Sequence, residues 1–407
     1  MYIKRTLEKQ IARLSDFMPV VFIGGPRQVG KSTIFERCSR ENRTIVSLDS
    51  PDLRLLAQTD PKSFLDRYPA PVLIDEVQYA PQLFPYIKAA VDKAKQNGMY
   101  WLTGSQQFHL MKDVSESLAG RVGILTLEGL SQNEKNGHPE MPPFLPTKAF
   151  LEQKHPCAME TNLLKMYRLI WKGSYPKLYG ADDQMWSVYY DSYVQTYLER
   201  DLRALTSVNN ELDFYRFMRV LAARTGQELD LSHIAKEVGI SVPTVKSWVS
   251  VLETSGIIYL LQPYYTNLTK RLIKSPKIHF TDTGLACFLT GWTSPETLEN
   301  GAMNGAILES YVVSEILKSY WHNGIRPNIY YYRDSDKREI DVILEENGIL
   351  YPIEIKKKSN PTVADTKSFA VIENLLGQKR GEGAVICMAD THLPLTDKDN
   401  IVPIGYL

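Results

Sequence analysis

The sequence predicts an α/β chain of several domains, led by a parallel-sheet domain built on a glycine-rich loop. Three observations predict it. A short apolar strand runs into a glycine-rich loop and then a helix near residue 25. A helix–glycine–helix segment is centred on residue 239, and an Asn-Gly pair at 347–348 separates two alternating apolar runs, a strong hairpin signal. With 407 residues, two or three domains of ordinary size are expected. Lys plus Arg (47) balances Asp plus Glu (47), so any nucleic-acid contact must be a local patch rather than a coat of positive potential. No apolar run approaches the roughly 18 residues of a membrane span, and the opening MYIKRTLEKQIARL is no secretory signal. Cys38, Cys157, Cys287 and Cys387 are too scattered for a zinc or disulfide pattern. The expectation is a reduced, cytoplasmic protein with no membrane partner.

Residues 1–14 read as an amphipathic helix through Ile3, Leu7, Ile11 and Leu14. The strand at 20–23 leads into Gly25-Pro26-Arg27-Gln28-Val29-Gly30-Lys31-Ser32, which fits G-x-x-x-x-G-K-[ST] without a mismatch and is followed by Thr33. Glycines let the backbone N–H groups close around phosphate oxygens, and the helix that follows presents its positive dipole end. Lys31 is expected on the β- and γ-phosphates of ATP, and Ser32 on Mg²⁺. A second apolar strand at 72–74 ends in Asp75-Glu76. Asp75 is expected in the Mg²⁺ shell and Glu76 as the base that polarises the attacking water. A third strand at 99–102 ends in Thr103-Gly104-Ser105-Gln106, where Thr103 and Ser105 both qualify as contacts to the γ-phosphate or the water. Arg121 follows in SLAGR and fits a finger on transition-state charge, in its own subunit or a neighbour's; an oligomer would follow from the second. His109 has no partner set and stays unassigned.

These stretches, the loop at 25–32, the apolar run and acidic pair at 72–76, LTGS at 102–105 and SLAGR at 117–121, resemble AAA-type P-loop ATPases. More narrowly, the whole chain looks like a group of prokaryotic ATPases that join such a domain to a C-terminal region of unknown function. That resemblance implies a P-loop NTPase fold over residues 1–135 and NTP hydrolysis.

Residues 131–156 are polar and Pro-rich and mark a connector. A helical stretch follows, whose KGSYPKL (172–178) and YLERDLRAL (197–205) segments also match that group; Glu199, Arg200, Asp201 and Arg203 read as a solvated charge cluster. Between 230 and 261, a helix at 231–238, a turn at Gly239, a helix at 243–254 and an apolar strand give the winged helix-turn-helix pattern, closing a middle domain at 160–265. Ile234, Ala235 and Val238 are expected to pack on Val245, Val249 and Leu252, leaving Ser241, Thr244, Lys246 and Ser247 for a DNA groove. Lys270, Arg271, Lys274 and Lys277 are expected to form a basic wing. Double-stranded DNA and a protein contact both stand as partners.

The last domain, 266–407, reads as αβββαβ: a helix at 302–321, strands at 329–333, 339–344, 349–356 and 383–388, and a helix at 365–376. Asp341 falls on one hairpin strand, Glu354 and Lys356 on the other and on one face. With Glu309 on the helix before them, they resemble the PD-(D/E)xK nuclease superfamily, a restriction-endonuclease-like α/β fold. The resemblance implies Mg²⁺ or Mn²⁺ held by Asp341, Glu354 and Glu309, and Lys356 orienting water or stabilising the transition state. Glu339 is expected to be a solvated neighbour. Two readings stand: an ATP-driven machine with an active nuclease module, or a nucleotide-gated switch whose nuclease fold only binds.

Overall fold

The computed structural model describes residues 2–39, 42–104, 116–160, 162–197, 211–265 and 275–407. It divides into two compact units, one of residues 1–130 with 254–256 and 321–325, the other of residues 131–253, 257–320 and 326–407.

In the first unit a helix, Leu7–Phe17, buries Leu7 and Ile11. Five strands follow: β1 (Val20–Gly24), β2 (Thr44–Ser47), β3 (Val72–Asp75), β4 (Tyr100–Gly104) and β5 (Val122–Thr126). They pair in the order β2-β3-β4-β1-β5, every pair parallel. Strands covered on both faces read as unbroken apolar runs, and β1, with all five residues buried, is such a strand. Phe22, Ile74 and Leu102 from three strands pack with Phe64, Phe84 and Ile87 from the helices. Parallel pairing brings the C-terminal ends of β1, β3 and β4, and with them Gly25, Asp75 and Gly104, to one edge, where ligands of such sheets bind.

The second unit begins where the sequence reads as a connector, yet Ser131, Gln132, Asn133 and Glu134 are buried. Ser131 and Glu134 form a reciprocal cap on the helix Gln132–Lys135, and the Gln132 N–H donates to Glu315 Oε2 at 2.7 Å. A polar stretch here fills an interior network rather than facing water, because each polar group finds a partner. Further on, helices Leu231–Val238 and Val242–Thr254 flank Gly239, whose φ of 83° is the left-handed conformation that ends a helix. Ile234, Ala235, Val238, Val245, Val249 and Leu252 are all buried, as expected for two packed helices.

Two strands, β6 (Ile258–Pro263) and β7 (Lys277–Phe280), then pair antiparallel. They do not end a separate domain. After the helix Asn304–Trp321 come β8 (Ile329–Arg333), β9 (Glu339–Glu346), β10 (Ile349–Ile355), β11 (Lys379–Arg380), β12 (Gly383–Cys387), β13 (Leu393–Pro394) and β14 (Asp399–Pro403). The sheet runs β13-β14-β12-β10-β9-β8-β6-β7, with β11 beside β10. The parallel pair β6–β8 thus carries one sheet across residues 265–266. Asn347 (φ 51°) and Gly348 (φ 73°) give the turn two left-handed residues, matching the twist of β9 and β10. The helix expected at 365–376 is a 3-10 segment, Val363–Ala370, and one turn, Val371–Asn374. A Thr362–Asp365 capping box starts it early, and β-branched Val363, Thr366, Val371 and Ile372 weaken a regular α-helix.

Candidate active site

In the first unit the loop after β1 is shaped by its glycines. A Cβ on Gly25 would fall 2.0 Å from the Leu127 carbonyl oxygen, so only glycine fits that close approach, and Gly30 caps the next helix at φ 95°. Gln28 also adopts a left-handed φ of 62°. Pro26 and Val29 are buried, Arg27 is half-buried and Thr33 is exposed. Lys31, at the head of the helix Lys31–Cys38, is buried, and its Nζ donates to Gly25 O (3.0 Å) and Pro26 O (2.6 Å). Burial pushes its pKa down to about 8, opposed by the charge of Glu76.

Ser32 Oγ donates to Asp75 Oδ1 at 2.7 Å, and Ser47 Oγ to Oδ2 at 3.3 Å. Thr103, buried at the end of β4, donates to Asp75 Oδ1 and accepts the Glu76 N–H at 3.1 Å. One hydroxyl therefore ties both acids together. Glu76 sits in the left-handed region (φ 58°), a costly backbone for a non-glycine residue, and its carboxylate accepts from Gln78. Hydroxyl and carboxylate oxygens gathered this way are the hard donors that Mg²⁺ takes, so the residues fit a Mg²⁺–nucleotide.

The structure brings Gly25 to Thr33, Asp75, Glu76 and Thr103 together; Ser105 and His109 lie outside the described residues. It does not bring Arg121 to them. The Arg121 carbonyl accepts from the Val20 N–H, at the opposite end of the sheet. Five residues of strand at about 3.3 Å each separate the two ends, roughly 16 Å. There Arg121 pairs with Asp92 (Nε–Oδ1 2.5 Å) and donates to Ala119 O. Sequence reasoning missed Arg5. Its buried guanidinium donates to Val29 O (2.9 Å), Glu128 O (2.7 Å) and Gly129 O (3.2 Å), pinning the back of the loop. A basic residue one turn before an amphipathic helix carries no pattern that could have flagged it.

In the second unit Asp341 follows the Val342–Ile353 pair in register and so lies opposite Glu354. Asp341 Oδ2 accepts the Ile355 N–H at 2.8 Å, Lys356 Nζ sits 2.5 Å from Glu354 Oε1, and Glu354 Oε2 is buried without a partner among the described residues. Burial raises the pKa of Asp341, Glu354 and Glu309 alike. Lys277 lies among them, although sequence reasoning put it on a basic wing. It is buried on β7, with Nζ 3.0 Å from Glu309 Oε1 and 2.7 Å from Glu339 Oε1. Glu339 is therefore an ion-pair partner rather than a free solvated acid. Burial works against the Lys277 charge, but Glu309, Asp341 and Glu339 outweigh it and hold the pKa above its ordinary value. Among the described residues no three acidic, His or Cys side chains converge to hold a metal. The signal that could have found Lys277 is its alternation with His279 in KIHF, which places both on one face of a strand.

Of the expected DNA-facing residues, Lys246 and Ser247 are exposed, while Ser241 caps its helix by accepting the Thr244 N–H. Lys270, Arg271 and Lys274, like Glu199, Arg200, Asp201 and Arg203, lie outside the described residues. The basic residues near the hairpin are engaged: Arg333 with Glu228 (3.0 Å), Lys357 with Glu299 (2.5 Å) and Lys358 with Asp365 (2.6 Å). No described helix is long and apolar enough to cross a membrane.

Comparison with known proteins matches three stretches of the chain. Residues 18–136 match the AAA domain model, 163–296 a domain of unknown function (DUF8612), and 304–407 another (DUF4143). An uncharacterized protein of Mycobacterium tuberculosis and one of Mycobacterium bovis are each 27% identical over 99% of this chain and 84% of their own length. Among solved structures, a Walker-type ATPase of Pyrococcus abyssi is 14% identical, with a TM-score of 0.47 over 71% of this chain and 96% of that one. RuvB of Thermotoga maritima, also 14% identical, has a TM-score of 0.31 over 63% and 90%. At those scores the overlays carry no argument. The match over residues 18–136 and the geometry of loop, acids and sheet agree with each other: both fit an AAA-type domain built on a P-loop.

Proposed function

We propose that the protein binds ATP with Mg²⁺ on residues 25–33 and hydrolyses it. The observation that carries this is the Thr103 hydroxyl joining Asp75 to the Glu76 backbone while Ser32 reaches Asp75 from the loop. Ser32 and Asp75 would hold the Mg²⁺, which supplies charge neutralisation at the phosphates. Lys31 exchanges its loop carbonyls for phosphate oxygens. Glu76 accepts a proton from the attacking water; the new P–O bond forms on the γ-phosphorus as its bond to the β–γ bridging oxygen breaks, leaving ADP and phosphate. Lys31→Ala is expected to abolish nucleotide binding, and Glu76→Gln to retain binding while losing turnover by about 10²-fold or more. Unchanged turnover in Glu76→Gln would remove it as the base.

For the second unit we favour a nuclease-like scaffold, gated by nucleotide, that contacts a partner such as double-stranded DNA without cutting it. The ion pairs that Lys277 and Lys356 make with the carboxylates favour this over an active Mg²⁺ or Mn²⁺ nuclease. Supercoiled and linear DNA incubated with Mg²⁺ or Mn²⁺, with and without ATP, should stay intact. Cleavage lost in both Asp341→Ala and Lys356→Ala would establish the active reading instead.

A further inference from the structure

Two short pieces of the later chain, Thr254–Gly256 and Trp321–Ile325, belong to the first unit. Both bear on the loop after β1. Its first residue, Gly25, leans on the oxygen of the Leu127–Glu128 peptide group, the oxygen that leaves no room for a Cβ. A trans peptide points its C=O and N–H in opposite directions, so the N–H of that group faces away from the loop. There it donates to His322 Nε2 at 3.2 Å, and both residues are buried. The Glu128 carbonyl is held in turn by Arg5, whose guanidinium also takes Val29 O. Gly256 meets the second residue of the loop. A Cβ on it would fall 2.9 Å from Pro26 Cγ and 3.0 Å from Pro26 Cδ, at a φ of 73° that already favours glycine. Pro26 is thus backed by Gly256, while its carbonyl accepts from Lys31 Nζ.

We propose that His322 and Gly256 are positioning residues of the nucleotide site, a brace from the later chain that residues 18–136 lack. The inference rests on the ATP reading above. Backbone N–H groups of such a loop bind phosphate oxygens well only when they are already aimed, because ordering them on binding costs affinity. His322 fixes the peptide plane behind Gly25, and Gly256 fixes the proline ring beside it. Each acts through a loop residue rather than on the phosphates themselves. Removing the His322 ring leaves a buried N–H without that acceptor and frees the plane to tilt. The loop then samples other shapes, and ATP binds more weakly without any change in Asp75 or Glu76.

The test uses the full chain with a fluorescent ATP analogue and Mg²⁺, read as Kd beside kcat for ATP and melting temperature. His322→Leu, similar in bulk, is expected to raise Kd about 5- to 20-fold while kcat at saturation changes far less. His322→Gln, whose side-chain carbonyl is an acceptor at the same reach, is expected to recover most of that affinity. Gly256→Ala is expected to weaken binding as well. Adding Pro26→Ala to it should restore part, because alanine lacks the Cγ and Cδ that the new methyl group meets. A histidine that served stability alone would lower the melting temperature and leave the Kd of the folded fraction unchanged. That result, or a Gly256→Ala defect that Pro26→Ala does nothing to relieve, would overturn the brace and leave the ATP reading standing. Should His322→Leu fail to fold, the pair at Gly256 and Pro26 decides alone. A folded wild type that binds no ATP analogue would overturn both.

Discussion

At the scale of single residues, Thr103 ties together the two acids of the proposed nucleotide site. Thr103→Val keeps its shape but removes the hydroxyl that donates to Asp75 and accepts from Glu76. The expected result is a fall in kcat of about 10- to 100-fold, with KM for ATP changed far less, since positioning groups of this kind act on orientation. Steady-state kinetics beside a thermal melt check it. Lys31 gives a second test. Its pKa near 8 reflects burial, and bound phosphates would raise it. The free protein holds the lysine partly neutral at pH 8, so ATP binding must take up protons there, up to about half a proton per site. Uptake should fade toward pH 6.5, where Lys31 is already charged. Calorimetry in buffers of different ionisation enthalpy reads the number directly, and no uptake at pH 8 would contradict the buried, depressed lysine.

At the scale of elements, loop and clamp act together. Gly25→Ala places a methyl group against the Leu127 carbonyl and must displace the loop or β5. Nucleotide binding should be lost even where the fold survives, and binding of a fluorescent ATP analogue together with far-UV circular dichroism separates the two. Arg5→Ala frees Val29 O and the carbonyls at 128–129 from their buried donor. A rise in KM of several-fold with smaller loss of kcat is expected, reversed in part by Arg5→Lys. Much of this scale was legible in advance. Strand β1, the loop, β3 with its acids and the β9–β10 turn follow from local patterns of apolar runs, glycine and Asn-Gly. Arg5 was not legible, because its partners are carbonyls remote in sequence, and Lys277 was legible only through its alternation with His279, its carboxylate partners being remote as well. Lys277 was even misread, since a lysine near other lysines suggests a solvated patch until β7 carries it inside. The polar stretch 131–134 misled in the same way: composition cannot distinguish polar groups facing water from polar groups paired in an interior.

At the scale of the whole molecule, the placement of Arg121 bears on assembly. Its position at the far end of the sheet rules out contact with its own phosphate loop, so any finger role needs a second copy. If so, turnover per chain should rise with protein concentration. Mixing Lys31→Ala with Arg121→Ala should then restore activity that neither has alone, because one supplies the arginine and the other the loop. Additive, concentration-independent rates would leave Arg121 as a surface partner of Asp92, an exposed pair screened by water.

The strand β6 has one more implication. It hydrogen-bonds to β7 on one side and β8 on the other, so residues 266–407 do not form a detachable cassette. Cutting the chain at 265 would strip Tyr330 and Tyr331 of their β6 partners Gln262 and Pro263 and leave an aromatic stretch of strand edge open to other chains. Such an edge invites sticky, intermolecular pairing. A truncation beginning near residue 131, which keeps the whole second unit together with β6, is the piece that should stay monodisperse.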